Sequence, residues 1–296
     1  MRATGDASSR ARGTDSRDYV VDGFAGPFVA LEPNKMEAVR PELDRVIASR
    51  RRRAHVPSAV PPDRPEDQGT EVEEIWNAQL HDRVVFDLAS HPAVLAEVAR
   101  VAGPDLLLWR TIFWVKEPGA RRIEWHQDTY EHNRLGDRGI VTAWIAIDDV
   151  SPDNAVQVVA GSQRQILPSE VFQEPDYVTA LQRSPALPPP PIDADPPILM
   201  TLRAGSFFVF NQLVVHGSPP NTTNVRRAGL AARFVPADAD TAGMSGQFIR
   251  VAGRVRPKGL RLVAPPPTWE WARRSRVVTK LRLGWPQVRL PHRWFA

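Results

Sequence analysis

The chain has 296 residues and no cysteine, which excludes a disulfide framework, a thiolate zinc or iron–sulfur site and a cysteine nucleophile. Any metal must sit on His, Asp or Glu. Nowhere do about 18 apolar residues run together, and the first thirty residues lack an apolar core of signal-peptide length. A soluble, cytoplasmic protein is expected. Lysine is scarce, with only Lys35, Lys116, Lys258 and Lys280 among the 38 basic residues, a bias more simply explained by GC-rich coding than by a binding surface.

What is present is globular: 42% hydrophobic and 24% charged residues are enough to bury a sizeable core. The pI near 9.8 points at first to a nucleic-acid or membrane partner. The distribution of charge argues otherwise. Residues 271–296 hold seven basic residues and no acid, so with a net charge of +4 the first 270 residues carry −3. No nucleic acid and no membrane is the expectation. The tail tryptophans Trp269, Trp271, Trp285 and Trp294 would instead cover the core or a second subunit, which leaves a homodimer open.

Residues 1–17 read as a disordered arm and 265–296 as a basic, Trp-containing extension, with a single domain at 18–264 between them. Met36, Val39, Leu43, Val46 and Ile47 recur at helical spacing. A second helix is expected from Ser90 as N-cap, through Pro92 and Val94, Leu95, Val98 and Val101, to a stop at Gly103. Strand texture then takes over: 106–115, 140–147, 156–159, 206–210, 213–215 and 230–235 are rich in β-branched and aromatic residues. The prolines clustered at 186–197 exclude a helix or a central strand and predict a long surface connection. The expected fold is mainly β with a helical buttress, built on a barrel or jelly roll.

Seven histidines must contain any imidazole chemistry, and His55, His81, His91 and His292 lie in linker, helix-entry or tail contexts. His126 and Asp128 are two apart in an extended segment and can present a nitrogen and a carboxylate to one point. His216 ends the strand-like 213–215. Two histidines and a carboxylate suit non-haem Fe(II), with open positions for cosubstrate and O2; zinc uses the same ligands. Eleven residues beyond His216, Arg227 could aim a guanidinium from a neighbouring strand to bind a carboxylate bidentately.

These blocks are Trp125-His126-Gln127-Asp128, the run 142–147, the run 153–162, and His216 to Asn221 leading to Arg227. In them the sequence resembles the phytanoyl-CoA dioxygenase family of Fe(II)/2-oxoglutarate oxygenases over residues 18–236. The resemblance implies a double-stranded β-helix core of cupin type and a cosubstrate of 2-oxoglutarate used with O2. It implies that His126, Asp128 and His216 bind iron and that Arg227 pairs with the distal carboxylate of 2-oxoglutarate. It further implies that Ser218 bonds that carboxylate and that Trp144 lines its pocket; Arg226 is the rival for the arginine role. Asn154-Ala155 and Gly161-Ser162-Gln163 stand where the family writes Asn-Gly and Gly-Ser-His, and the last sixty residues have no family counterpart.

The substrate is expected to be a small-molecule metabolite of secondary metabolism. Its candidate contacts are Tyr130, His132, Asn133, Trp114, Gln212 and Lys116, the last facing an anionic substrate or cosubstrate. Asp128 argues against halogenation, where a small residue vacates the ligand position for chloride. Desaturation, epimerisation and ring closure stay open beside hydroxylation, as do a catalytically silent barrel and a zinc hydrolase. The hydrolase reading lacks a glutamate base beside the ligands.

Overall fold

Apolar side chains on both faces of a strand call for cover on both sides. In this computed structural model, which describes residues 16–51, 69–128, 139–164, 166, 197–241 and 243–267, that cover is a second sheet on one face and helices on the other. The elements run α1 (Ser16–Asp22), β1 (Phe24–Val29), α2 (Pro33–Arg51), β2 (Glu73–Trp76), α3 (Arg83–Ala89), α4 (Pro92–Ala102), β3 (Leu106–Lys116) and β4 (Ile123–His126). They continue with β5 (Val141–Ala146), β6 (Val156–Val158), β7 (Ile198–Met200), β8 (Ser206–Asn211), β9 (His216–Ser218), β10 (Arg227–Pro236), β11 (Gln247–Ala252) and β12 (Arg261–Leu262).

The larger sheet has the order β1-β8-β5-β10-β3-β11-β12, with β2 also paired to β3; the smaller is β4-β9-β6-β7. The two form a jelly roll, as expected from the strand texture. Along β5, Val141, Ala143 and Ile145 join the helix-side core with Met36, Val39, Leu43, Val46 and Ile47 of α2. Trp144 and Ala146 point the other way, into the core between the sheets with Phe208, Phe210 and Ala231. Among the described residues no helix is long and apolar enough to cross a membrane.

One ionic clasp ties α2 to the larger sheet. Asp148, just after β5, accepts Arg40 Nη1 at 2.7 Å, Arg226 Nε at 2.8 Å and the Ala228 N–H at 2.9 Å. Arg226 Nη1 also reaches Asp44 of α2 at 2.7 Å.

Two local expectations are corrected. Ser90 does not cap the helix that follows it: its hydroxyl donates to the Phe86 carbonyl at 2.6 Å and closes α3, and the His91 ring accepts the Ala93 N–H at 3.3 Å to open α4. Residues 213–215 are not a strand. Asn211 folds them into a turn by accepting the Leu213 N–H on its side chain and the Val214 N–H on its carbonyl, both at 2.9 Å. Val214 and Val215 are apolar because that turn is buried, and His216 begins a strand instead of ending one. The stretches read as arm and tail, apart from their inner ends, and nearly all of the Pro-rich connection lie outside the described residues.

Candidate metal centre

The end of β4 meets the start of β9 with His126 and His216 directly opposed, so their side chains share a face. Their ring centroids lie 4.1 Å apart. Gly217 permits this approach, since a Cβ there would sit 2.9 Å from the Ile123 carbonyl oxygen. Asp128 turns to the same point, with its own N–H anchored on the Gln212 carbonyl at 2.8 Å. One candidate ligand atom from each of His126, Asp128 and His216 lies within 4.8 Å of the others.

Backbone carbonyls orient both rings. Nδ1 of His126 lies 2.7 Å from the Glu124 carbonyl, and Nδ1 of His216 lies 2.9 Å from that of Val214. A carbonyl only accepts, so this bonding assigns the proton to each Nδ1 and leaves each Nε2 lone pair facing the site. Burial, reinforced by the neighbouring His126, pushes His216 down to about 3 and keeps it neutral. Burial opposes the charge on Asp128, but the Arg233 guanidinium, at 2.7 Å from Oδ1, holds its carboxyl below the usual range. Asp128 Oδ2 is buried with no hydrogen-bond partner. An ionised oxygen left bare against two imidazole lone pairs is unfavourable unless a cation joins it. The residues therefore fit a metal that takes two nitrogens and one oxygen.

Elsewhere in the same cavity lies a cationic corner. Arg227 opens β10 directly opposite Lys116 of β3. Its Nε donates to the Asn154 carbonyl at 3.1 Å, while Nη1 and Nη2 are buried without partners. Lys116 is fully buried and donates to Ser218 Oγ at 3.1 Å and to the Pro219 carbonyl. Burial, and then the charge of Arg227, pushes the Lys116 amine down to about 6; burial brings Arg227 down to about 10. Trp144 forms the adjoining wall, its ring centre 5.3 Å from Arg227 Cζ. Among the described residues lining the cavity Asp128 is the only acid, so this corner is complementary to an anion with two oxygens.

His126, Asp128, His216, Arg227, Trp144, Ser218 and Trp114 all line one cavity, and Lys116 reaches it through Ser218. Arg226 points to the opposite face, into the Asp148 clasp. Gln212 does not line the cavity: its Oε1 accepts the Ile140 N–H at 3.2 Å and its carbonyl anchors Asp128, so it braces the metal-side turn. Tyr130, His132 and Asn133 lie outside the described residues.

Arg233, Thr142 and Asn221 were not among the sequence candidates. Arg233 is signalled by a charge within the otherwise apolar run 228–235. Thr142 stands beside it in register with a buried, unpartnered hydroxyl. Asn221 is a hub: its Nδ2 donates to the Lys116, Glu117 and Val225 carbonyls at 3.0, 3.2 and 2.8 Å. Its Oδ1 accepts from Asn154 at 3.3 Å, the residue whose carbonyl holds Arg227.

No curated protein matches the chain by sequence. Among solved structures, the non-heme monooxygenase ThoJ, in its nickel complex, superposes with TM-score 0.62 at 19% identity, covering 90% of this chain and 94% of that one. The alpha-ketoglutarate-dependent carbocyclase SnoK from nogalamycin biosynthesis gives 0.58 at 24% identity, over 75% of this chain and 83% of that one. The epimerase SnoN, solved with Fe3+, alpha-ketoglutarate and nogalamycin RO, gives 0.56 at 21% identity, over 81% and 92%. At such identities these likenesses bear on the fold. The model of the phytanoyl-CoA dioxygenase (PhyH) family matches residues 19–229, and the chain belongs to that family.

Proposed function

We propose that the protein is an Fe(II)- and 2-oxoglutarate-dependent oxygenase acting on a small-molecule metabolite. One observation carries this reading. A buried carboxylate oxygen between two imidazole nitrogens shares its cavity with a buried arginine whose two terminal nitrogens have no partner. The first arrangement is complementary to a divalent cation and the second to a carboxylate. Iron and 2-oxoglutarate together would supply oxidation by O2, with release of succinate and CO2.

The protein's residues bind, orient and shield. His126 Nε2, Asp128 Oδ2 and His216 Nε2 would hold the metal, with each Nδ1 proton kept on its carbonyl. Arg227 Nη1 and Nη2 would grip the distal carboxylate, with Lys116 and Ser218 beside it. Trp144, Val156 and Phe210 would exclude water from that end. A zinc hydrolase is disfavoured because no second carboxylate among the described lining residues could act as base. A tailoring role in biosynthesis, by hydroxylation, desaturation, epimerisation or ring closure, is supported by the compared carbocyclase and epimerase.

Adding Fe(II) and 2-oxoglutarate to the protein without O2 should produce the weak visible charge-transfer band of the chelate, and admitting O2 should yield succinate. Absence of both rules the reading out. Arg227→Ala should weaken 2-oxoglutarate binding roughly 10- to 100-fold, the loss of charged hydrogen bonds. Arg226→Ala should leave that affinity within about twofold while lowering Tm, since it removes charge-assisted bonds of the Asp148 clasp worth about 1–3 kcal/mol each.

Binding should also depend on pH. Above pH 6 the empty-site Lys116 amine is neutral, and an incoming carboxylate favours its charged form. Cosubstrate binding then takes up a proton, and affinity falls as pH rises from 6, by at most about tenfold per unit. Titration calorimetry in two buffers of different ionisation enthalpy reads that proton directly, and Lys116→Met should remove it.

A further inference from the structure

Side chains alternate along β10. Ala228, Leu230, Ala232 and Phe234 are buried in the helix-side core, whereas Arg227, Ala231 and Arg233 line the metal cavity. The two arginines stand at opposite ends of that row and meet different groups. Arg227 belongs to the anion corner. Arg233 Nη2 donates to Asp128 Oδ1 at 2.7 Å, with both side chains 3% exposed.

Asp128 is thereby held at two points, its N–H on the Gln212 carbonyl and its Oδ1 on Arg233. Neither bond uses Oδ2, which is buried with no partner. Oδ1 is itself close to the ligand set, 3.9 Å from His126 Nε2. A carboxylate so placed can meet a metal through one oxygen or through both, and the choice decides how many positions stay open. Two imidazoles and one carboxylate oxygen leave three octahedral positions; two carboxylate oxygens leave only two. A keto-acid chelate fills two. Only the one-oxygen arrangement then keeps a place for O2 beside the cosubstrate. A charge-assisted bond of 2.7 Å in a dry cavity is strong, and it must be given up before Oδ1 can turn to a metal. Thr142, next to Arg233 in register, does not share the task, since its buried hydroxyl has no partner.

We propose that Arg233 is a positioning residue: by occupying Oδ1 it makes Asp128 a one-oxygen ligand and keeps one metal position open for O2 while the cosubstrate is bound. The proposal rests on the oxygenase reading for the identity of the metal and cosubstrate.

The test uses the full chain loaded with Fe(II) under argon, with nitric oxide as probe, a diatomic that takes one iron position as O2 does. Its affinity is read from the EPR signal of the iron–nitric oxide complex, with and without saturating 2-oxoglutarate. The wild type should bind the probe in both states. Arg233→Met should bind it within about twofold of the wild type without cosubstrate but roughly 10- to 100-fold more weakly with it, the effect of removing a group that orients a ligand. Arg233→Lys, which keeps a cation beside Oδ1, should recover most of that loss. Arg233→Gln, whose amide stops short of Oδ1, should behave as Arg233→Met and gives the answer where methionine is not accepted. Equal weakening with and without cosubstrate would mark loss of metal or of fold and overturn the proposal. So would full binding by Arg233→Met and Arg233→Gln, or a defect as deep in Arg233→Lys. The charge-transfer band is recorded on the same samples before the probe is added. Its absence in the wild type removes the oxygenase reading and this inference with it; a normal band beside unchanged variants removes the inference alone.

Discussion

Asp128→Ala is expected to abolish metal binding and, with it, the charge-transfer band and succinate formation; it should also destabilise the metal-free protein. The second effect follows from Arg233. In the wild type that guanidinium lies 2.7 Å from Asp128 Oδ1, with both side chains 3% exposed. Removing the carboxylate takes the 2.7 Å Asp128 partner from a buried cation, and breaking a buried pair in this way costs about 3–5 kcal/mol. Urea unfolding of the metal-free variant measures it. His126→Ala should lose the metal equally but unfold close to the wild type, because its side chain is 31% exposed. Asp128→Ala combined with Arg233→Met should recover most of the lost stability and none of the metal affinity. If Asp128→Ala alone unfolds like the wild type, the pair does not carry the energy assigned to it.

Gly229→Ala should be the most damaging single methyl addition in the molecule's active end. Gly229 lies on β10 beneath the Trp144 indole, and a Cβ there would fall 2.0 Å from Cζ2 and 2.4 Å from Cη2. One of the two must move. The larger sheet packs helices on its far face, so the yielding group is the indole, which swings into the space beside Arg227. Overpacking of this kind costs about 1–3 kcal/mol. Occupation of the anion corner should weaken 2-oxoglutarate binding by at least about tenfold, with metal affinity retained. Titrating the charge-transfer band with cosubstrate separates the two effects. Trp144→Phe in the same chain should restore part of the affinity by shortening the ring; unchanged binding in Gly229→Ala itself would remove Trp144 from the pocket wall.

Much of this architecture is legible in the residues. The long strands β3, β5, β8 and β10 announce themselves because both faces are buried and both are apolar. The short strands do not: β4, β7 and β9 span three or four residues each, and their pairing is fixed by partners distant in sequence. Ser90 is ambiguous locally, since one hydroxyl can open the next helix or close the last. The buried turn at 213–215 imitates a strand because burial alone, not periodicity, dictates its apolar character. At the site, His126, Asp128, His216 and Arg227 stand out by residue type and spacing, whereas Arg233 and Gln212 differ only in where their side chains point. Arg226 and Arg227 are adjacent in sequence, and strand alternation sends one to the clasp and the other to the cavity.

The pairing of β6 with β7 sets Val158 opposite Ile198. All of the chain from 159 to 197 is thereby spanned by two strand ends held side by side. For such a closed segment the entropic penalty grows only logarithmically, about 0.6 kcal/mol for each doubling of length. The first residues of that stretch are nevertheless tied to the reaction core: the Val159 N–H donates to the Val215 carbonyl at 3.0 Å and Ser162 Oγ accepts the Val215 N–H at 2.8 Å, one residue before His216. A substitution or a change of length at 159–162 would therefore be transmitted to His216 through two bonds to the Val215 backbone.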